Sequence, residues 1–189
     1  HKVGVFTSPH LHTARERIKI GTELISRDDL TRFGKESLRI LSDYSWSVFF
    51  DLFLTAAIQY FEDKAPNYVI LETGIGGRYD STNFVERPKI GIITSVSLDH
   101  QNVLGDTLDL IAWQKAGIIK PGMQVFTPRS QAPVVMEVIR KQCIEVGATL
   151  HEVEVSAAAC KGLGITPLYD IEIQNLCIAR AVVQTIGAD

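Results

Sequence analysis

Cysteine is scarce in this sequence: Cys143, Cys160 and Cys177 are the only three in 189 residues, and no two form a C-x-x-C pair. That leaves no zinc-ribbon or thioredoxin spacing, so neutral, buried thiols in a reducing compartment are expected. No apolar run approaches the roughly 18–20 residues that a membrane span needs, and residues 1–30 carry no secretory pattern. A cytoplasmic protein with no membrane partner is therefore expected. Mitochondrial or plastid targeting stays open, because a transit peptide would precede residue 1. Neither sign of charge dominates: 19 Lys and Arg face 22 Asp and Glu, for a net charge of −3. The basic surface required for non-specific nucleic-acid binding is lacking, so no nucleic-acid partner is expected. The chain also has no G-x-S-x-G elbow and no H-E-x-x-H pair, which removes two common hydrolase chemistries.

What is present describes an ordinary globular chain. With 46% hydrophobic and 22% charged residues, it can bury a substantial core, and one domain is the simplest expectation. Lys2 to Thr7 reads as a strand ended by Pro9, which cannot donate to a ladder. Residues 13–27 hold a short half-buried strand or hairpin around Ile18 and Ile20. Arg15 and Arg17 there could hold an anion, although solvated arginines are the commoner outcome. Ser26, followed by Asp28 and Asp29, predicts a helix start, with apolar spacing continuing to about Ser42. A second helix is predicted from about Phe49 to Glu62, its aromatics read as core. Strands are expected at 68–71, 90–94, 123–127 and 149–155. Helices are expected after Asp106, over 133–146 and over 169–186, with a loop in the small-residue run that begins at Ser156. Strands alternating with helices at this pitch predict βαβ units and a doubly wound, mostly parallel α/β sheet.

The stretch around which the rest is organised is Tyr68 to Asn83, Y-V-I-L-E-T-G-I-G-G-R-Y-D-S-T-N. Its apolar run has no polar alternation, which predicts a strand buried on both faces. The run stops at Glu72 and then at Gly74, Gly76 and Gly77, where backbone can approach a ligand closely. In open α/β sheets ligands sit outside the carboxyl ends of strands. Ser8, Glu72 and His100 each follow a predicted strand and so are expected along one edge. A hydroxyl, a carboxylate and an imidazole would suit a phosphate-bound Mg²⁺ or a pair of ions, with water and phosphate completing the shell. Other roles remain open at this point: a helix cap or a solvated acid for Glu72, a turn hydrogen bond for Ser8 and a pair with Asp99 for His100. Lys115, on the last turn of its predicted helix, could be a surface lysine that interacts well with the helix dipole.

Five segments carry a resemblance: T-S-P-H-L at 7–11, R-E-R-I-K-I at 15–20, L-E-T-G-I-G-G-R-Y-D-S-T-N at 71–83, I-T-S-V-S-L-D-H at 93–100, and L-G-D-T-L with I-A-W-Q-K-A-G-I-I-K-P-G between 104 and 122. In this order and spacing the chain resembles the folylpolyglutamate synthase and dihydrofolate synthase family of Mur-ligase-like enzymes, co-linearly to about residue 125 and more loosely to 189. The resemblance implies the P-loop, Mur-ligase central-domain type of fold and an ATP-dependent carboxylate–amine ligase. ATP would phosphorylate the carboxylate of a folate or dihydropteroate, and the amino group of L-glutamate would displace the acyl phosphate. It further implies Ser8, Glu72 and His100 as magnesium ligands and Lys115 as a carbamylated lysine. Phe50, Tyr79, Asp80 and Ser81 would line a pterin pocket, and Gln174 and Asn175 would lie near the adenine.

Departures accompany the resemblance. The glycine-lysine phosphate loop of the family is not among these residues, nor is its C-terminal domain. Asp51 and Glu172 stand where the family usually has Glu and Gln. The expectation is that residues 1–189 form a single incomplete ATPase domain, inactive on its own. The alternative is a non-catalytic remnant that binds pterin or associates with itself through an exposed sheet edge. A cell-wall Mur ligase is a weaker third reading, since R-Y-D-S-T-N and T-S-P-H-L are folate-type.

Overall fold

The structure, a computed structural model, describes residues 1–42, 49–160 and 169–187. Its contacts divide the chain into two compact units: His1–Ile75 with Asp80–Phe84, and Gly76–Tyr79 with Val85–Asp189. Each has its own sheet and core.

In the first unit, β1 (Val3–Phe6), β2 (Ile18–Ile20), β3 (Glu23–Leu24) and β4 (Tyr68–Leu71) form one sheet in the order β3-β2-β1-β4. β1 runs parallel to β4, in a register that pairs Phe6 with Leu71, and antiparallel to β2. The hairpin expected around Ile18 and Ile20 is β2–β3. Two helices accompany this sheet, α1 (Arg27–Leu41) and α2 (Phe49–Lys64), and they pack on each other. α1 starts where the sequence predicts, because the Ser26 hydroxyl accepts the Asp29 N–H at 2.9 Å and so satisfies one of the helix's unpaired donors. The core gathers Phe6, Ile18, Ile25, Phe33, Leu54 and Phe61. Of the α2 aromatics expected in the core, Phe53 and Phe61 are buried and Tyr60 joins them, whereas Phe50 is half-buried and Phe49 is exposed, because the first turn of α2 lies at the margin of the core.

In the second unit, β5 (Ile90–Ile92), β6 (Gln124–Pro128) and β7 (Thr149–Val153) form a parallel sheet in that order. Between β5 and β6 lie a short α3 (Gln101–Leu104), which the pattern did not signal, and α4 (Leu108–Ala116). The N-cap of α4 is Thr107 rather than the expected Asp106. α5 (Pro133–Val146) has its predicted bounds and packs on α4, and α6 (Asp170–Ile186) packs on β6 and β7. Ile111, Val125, Val135 and Ile139 are fully buried in this core. Cys143 is buried here, and burial pushes its thiol up to about 11; Cys177 is buried as well. The loop expected from Ser156 begins with a 3₁₀ turn at Ala157–Cys160, and its remainder, 161–164, lies outside the described residues.

The α/β class and the mostly parallel strands are as the alternating pattern implies. Two details differ. β4 was expected to be buried on both faces, yet Val69 and Ile70 are 47% and 54% exposed. Among the described residues β4 is an edge strand of its sheet and pairs with β1 alone, and an unalternating apolar run cannot reveal how many neighbours a strand has. Similarly, Gly91 and Ile93 are buried around β5 while Ile92 is exposed.

Where α2 crosses β1, Gly4 permits the contact: a Cβ at residue 4 would stand 2.9 Å from the Phe61 ring. Gly4→Ala is therefore expected to lower stability by about 1–3 kcal/mol through overpacking, read from urea unfolding. Gly4→Ala combined with Phe61→Leu should recover part of that loss, since contacting residues couple. Strictly additive losses would contradict the packing described.

Candidate functional site

The pairing of β1 with β4 brings Ser8 and Glu72 together. Past Phe6 and Leu71 the two strands stay in step: the Glu72 N–H donates to the Phe6 carbonyl at 2.9 Å, and the Ser8 N–H donates to Glu72 Oε2 at 2.6 Å. Glu72 is thus neither a helix cap nor an idle surface acid. It holds the backbone of Ser8, so that a carboxylate and a serine leave the carboxyl ends of adjacent parallel strands together. Such a hard-oxygen set fits a magnesium ion, which takes one or two protein oxygens and fills its octahedron with water and phosphate. Among the described residues no group of three or more His, Cys, Asp and Glu gathers that could hold a metal, so the arrangement does not match a closed zinc-type cage.

The loop after Ser8 is held from within. Glu16 accepts the N–H groups of Leu11, His12 and Thr13 at 2.8, 3.1 and 2.8 Å. Those donors, Leu11 foremost, lower its pKa to about 2. Arg17, expected to be solvated, is buried. Its Nε donates to His10 Nδ1 at 2.9 Å, and its guanidinium lies 5.3 and 5.4 Å from the centres of the Phe49 and Phe53 rings. Arg15 Nε donates to the Ile25 carbonyl. R-E-R thus acts as a support for the loop; charge alone, without a contact partner in the sequence, gave no sign of it.

The glycine-rich loop is likewise tied by one acid. Asp80 Oδ2 accepts from the N–H groups of Gly74 and Ile75 at 3.0 and 2.9 Å. Its Oδ1 accepts from the N–H and hydroxyl of Thr82 at 2.9 and 2.6 Å. The Ser81 hydroxyl donates to Asp51 on α2. A Cβ at Gly74 would press on Phe50, whose ring meets Phe6 edge-on at 5.4 Å. Phe50, Asp80 and Ser81 are therefore clustered in the first unit. Tyr79 belongs to the second unit, 79% exposed, with its ring edge-on to Trp113 at 6.4 Å.

The other candidates also lie in the second unit. His100 sits at φ 51° as the N-cap of α3, its N–H donating to Asp99 Oδ1 at 2.7 Å and its Nε2 3.7 Å from Asp99 Oδ2. Lys115 is half-buried on the last turn of α4. The Gln174 side-chain carbonyl accepts the Ser95 hydroxyl at 2.9 Å, linking α6 to the chain after β5, and Asn175 beside it is exposed. Sequence reading missed Gln131. Its amide donates to the Thr94 carbonyl at 2.6 Å and to Thr127 Oγ1 at 3.1 Å and accepts the Val96 N–H at 3.0 Å, joining the ends of β5 and β6. A polar side chain between a strand and a helix is its only sequence signal.

No protein-family model matches the chain. Individual relatives do. It is 34% identical over 197 residues to folylpolyglutamate synthase of Neurospora crassa, covering 97% of this chain and 36% of that protein. It is 39% identical over 169 residues to dihydrofolate synthase/folylpolyglutamate synthase of Bacillus subtilis, covering 86% of this chain and 36% of that protein. The chain thus spans about a third of the length of these relatives. Among solved structures, folylpolyglutamate synthase of Thermotoga maritima superposes with a TM-score of 0.84 at 26% identity, covering 100% of this chain and 48% of that one. FolC of Escherichia coli in complex with DHPP and ADP gives 0.72 at 28% identity, covering 82% and 37%. An FPGS–AMPPCP–folate complex gives 0.74 at 32%, covering 82% and 40%.

Glu16 sets a pH dependence. Its folded pKa lies below the usual carboxylate value of 4.5, so its contribution is complete above that value and is lost as pH falls toward about 2. Between those limits the melting temperature of the natural chain should fall more steeply than that of Glu16→Gln, and thermal melts at stepped pH measure both. Parallel slopes would show that the three N–H contacts contribute nothing.

Proposed function

Because the chain belongs to the folylpolyglutamate synthase and dihydrofolate synthase family, we propose that it supplies the metal- and pterin-facing part of a ligase. That ligase joins L-glutamate to folate or dihydropteroate at the expense of ATP. The carboxylate of the pterin substrate takes the γ-phosphoryl group of ATP, and the amino group of glutamate then attacks the acyl carbon and expels phosphate. The observation that carries this reading is the Ser8–Glu72 pairing at the ends of β1 and β4. It supports the reading because a carboxylate and a serine follow the ends of adjacent parallel strands, the residue types that would hold a hard cation. In this proposal Ser8, Glu72 and His100 hold Mg²⁺, which when bound neutralises charge on the transferring phosphoryl group.

Lys115, carbamylated in this proposal, becomes an anion able to orient that cation site, which a free ammonium cannot do. Phe50 offers a ring face for the pterin, and Tyr79 and Ser81 are further pterin contacts in the same proposal. Asp80 keeps the pocket wall in shape, because both its oxygens are already engaged by Gly74, Ile75 and Thr82. Gln174 and Asn175 face the adenine. Residues 1–189 as ATPase-domain residues, working in the cytoplasm, belong to the same proposal. A second reading, a non-catalytic module that binds pterin or pairs with its own copy, draws on the exposed Val69 and Ile70 of edge strand β4.

The test is ADP release that depends on both glutamate and a folate or dihydropteroate. In a whole protein that carries these residues together with a glycine-lysine phosphate loop, turnover is expected. Glu72→Gln and Lys115→Gln should each lower kcat by about 10²–10³-fold, as loss of a preorganised charge-stabilising group does. The 189-residue chain alone, which has no such loop among its residues, should release none. Undiminished turnover in Glu72→Gln would overturn the metal assignment. Pterin binding by calorimetry, with no turnover in the whole protein and stable self-association in sedimentation, would favour the module.

A further inference from the structure

Resting on the reading of Lys115 as a carbamylated residue, we propose that Arg78 is a positioning residue that clamps the last turn of α4 and so sets where the Lys115 side chain stands. The last four carbonyls of a helix have no intrahelical donor. In α4 these belong to residues 113–116, on both sides of Lys115. Arg78 serves two of them: its backbone N–H donates to the Gln114 carbonyl at 2.8 Å, and its Nη2 donates to the Trp113 carbonyl at 3.2 Å. The guanidinium also lies over the Trp113 ring, 3.8 Å from its centre, a cation–π contact on the same turn. A cation at a helix C-terminus is favoured by the helix dipole as well. From Nη2 a further bond reaches Gln142 Oε1 on α5 at 3.3 Å, so the fork anchors the turn to the neighbouring helix.

The fit is close enough to dictate glycine on both sides. A Cβ at Gly117 would stand 2.3 Å from Arg78 Cβ, and one at Gly77 would stand 3.0 Å from the Lys115 carbonyl. The backbone of the glycine-rich loop is thus laid directly against the turn that carries Lys115. The contacts described for Arg78 all fall on the turn that carries Lys115 and on the helix beside it, so it acts through Lys115. Its planar fork, which serves a carbonyl, an amide oxygen and a ring at once, cannot be reproduced by a lysine ammonium.

Two readouts on the whole protein test this. One is the ¹³C resonance of a lysine carbamate under labelled CO₂, assigned to Lys115 by its loss in Lys115→Gln. The other is the rate of Lys115 modification by acetic anhydride relative to Lys120, an internal reference. Arg78→Ala is expected to change the Lys115/Lys120 ratio by at least about threefold and to lower carbamate occupancy by about fivefold, with Arg78→Lys intermediate and a cooperative melt in each. Should Arg78→Ala not fold, Gln142→Leu removes one arm of the clamp and should move both readouts in the same direction by less. A labelling ratio unchanged in these variants would overturn the proposal, even if their melting temperatures fell. A wild-type protein with no carbamate resonance but an Arg78-dependent labelling ratio would overturn the carbamate reading and leave the clamp in place.

Discussion

The parallel pairing of β1 with β4 is the constraint on which the candidate site depends. Two short strands separated by the whole of α1 and α2 are locked in a register that pairs Phe6 with Leu71. The next residues of each must then emerge side by side. The ladder continues one step beyond the strands through the Glu72 N–H, and the carboxylate of Glu72 closes back on the amide of Ser8. A one-residue slip would turn the side chains of one strand to the other face, and the hydroxyl and carboxylate would part. Phe6, fully buried under α2, resists that slip.

On either side of this pair, two loops are each organised by a single acid. Glu16 gathers three consecutive backbone N–H groups after Ser8, and Asp80 gathers four donors around the glycine-rich turn. A carboxylate with two oxygens can accept several such bonds, and bonds to an ionised acceptor are the strong ones. Acids embedded in a functional motif are readily taken for ligand contacts. Here they hold backbone, as Glu72 does for Ser8 at the strand ends. Arg78 does complementary work on α4, its backbone N–H reaching the Gln114 carbonyl and its guanidinium the Trp113 carbonyl of the last turn.

Much of this was legible beforehand. The Ser26 cap, the bounds of α5, the stripe of α2 and the alternation of strands with helices follow from local spacing, which the chain carries wherever it is read. The resemblance to the family rests on segments whose order and content are local as well, and the similarity to the Neurospora crassa and Bacillus subtilis proteins agrees with it. The hidden part concerned partners. Arg17 was expected in solvent and is buried against Phe49, Phe53 and His10, because a charge pattern does not say which rings lie beside it.

By itself, the order of amino acids determined most of the segments that become helix or strand, several of their ends, and which family the chain resembles. These depend on backbone propensity, capping and short-range periodicity. Only the tertiary structure decided that β4 is an edge strand with half-exposed valine and isoleucine, that Ser8 lies within one hydrogen bond of Glu72, and that Asp80 and Arg78 serve backbone. Apart from Asp80, whose partners lie within six residues, these depend on residues distant along the chain, and such contacts are set by strand register and close packing, which no local pattern encodes.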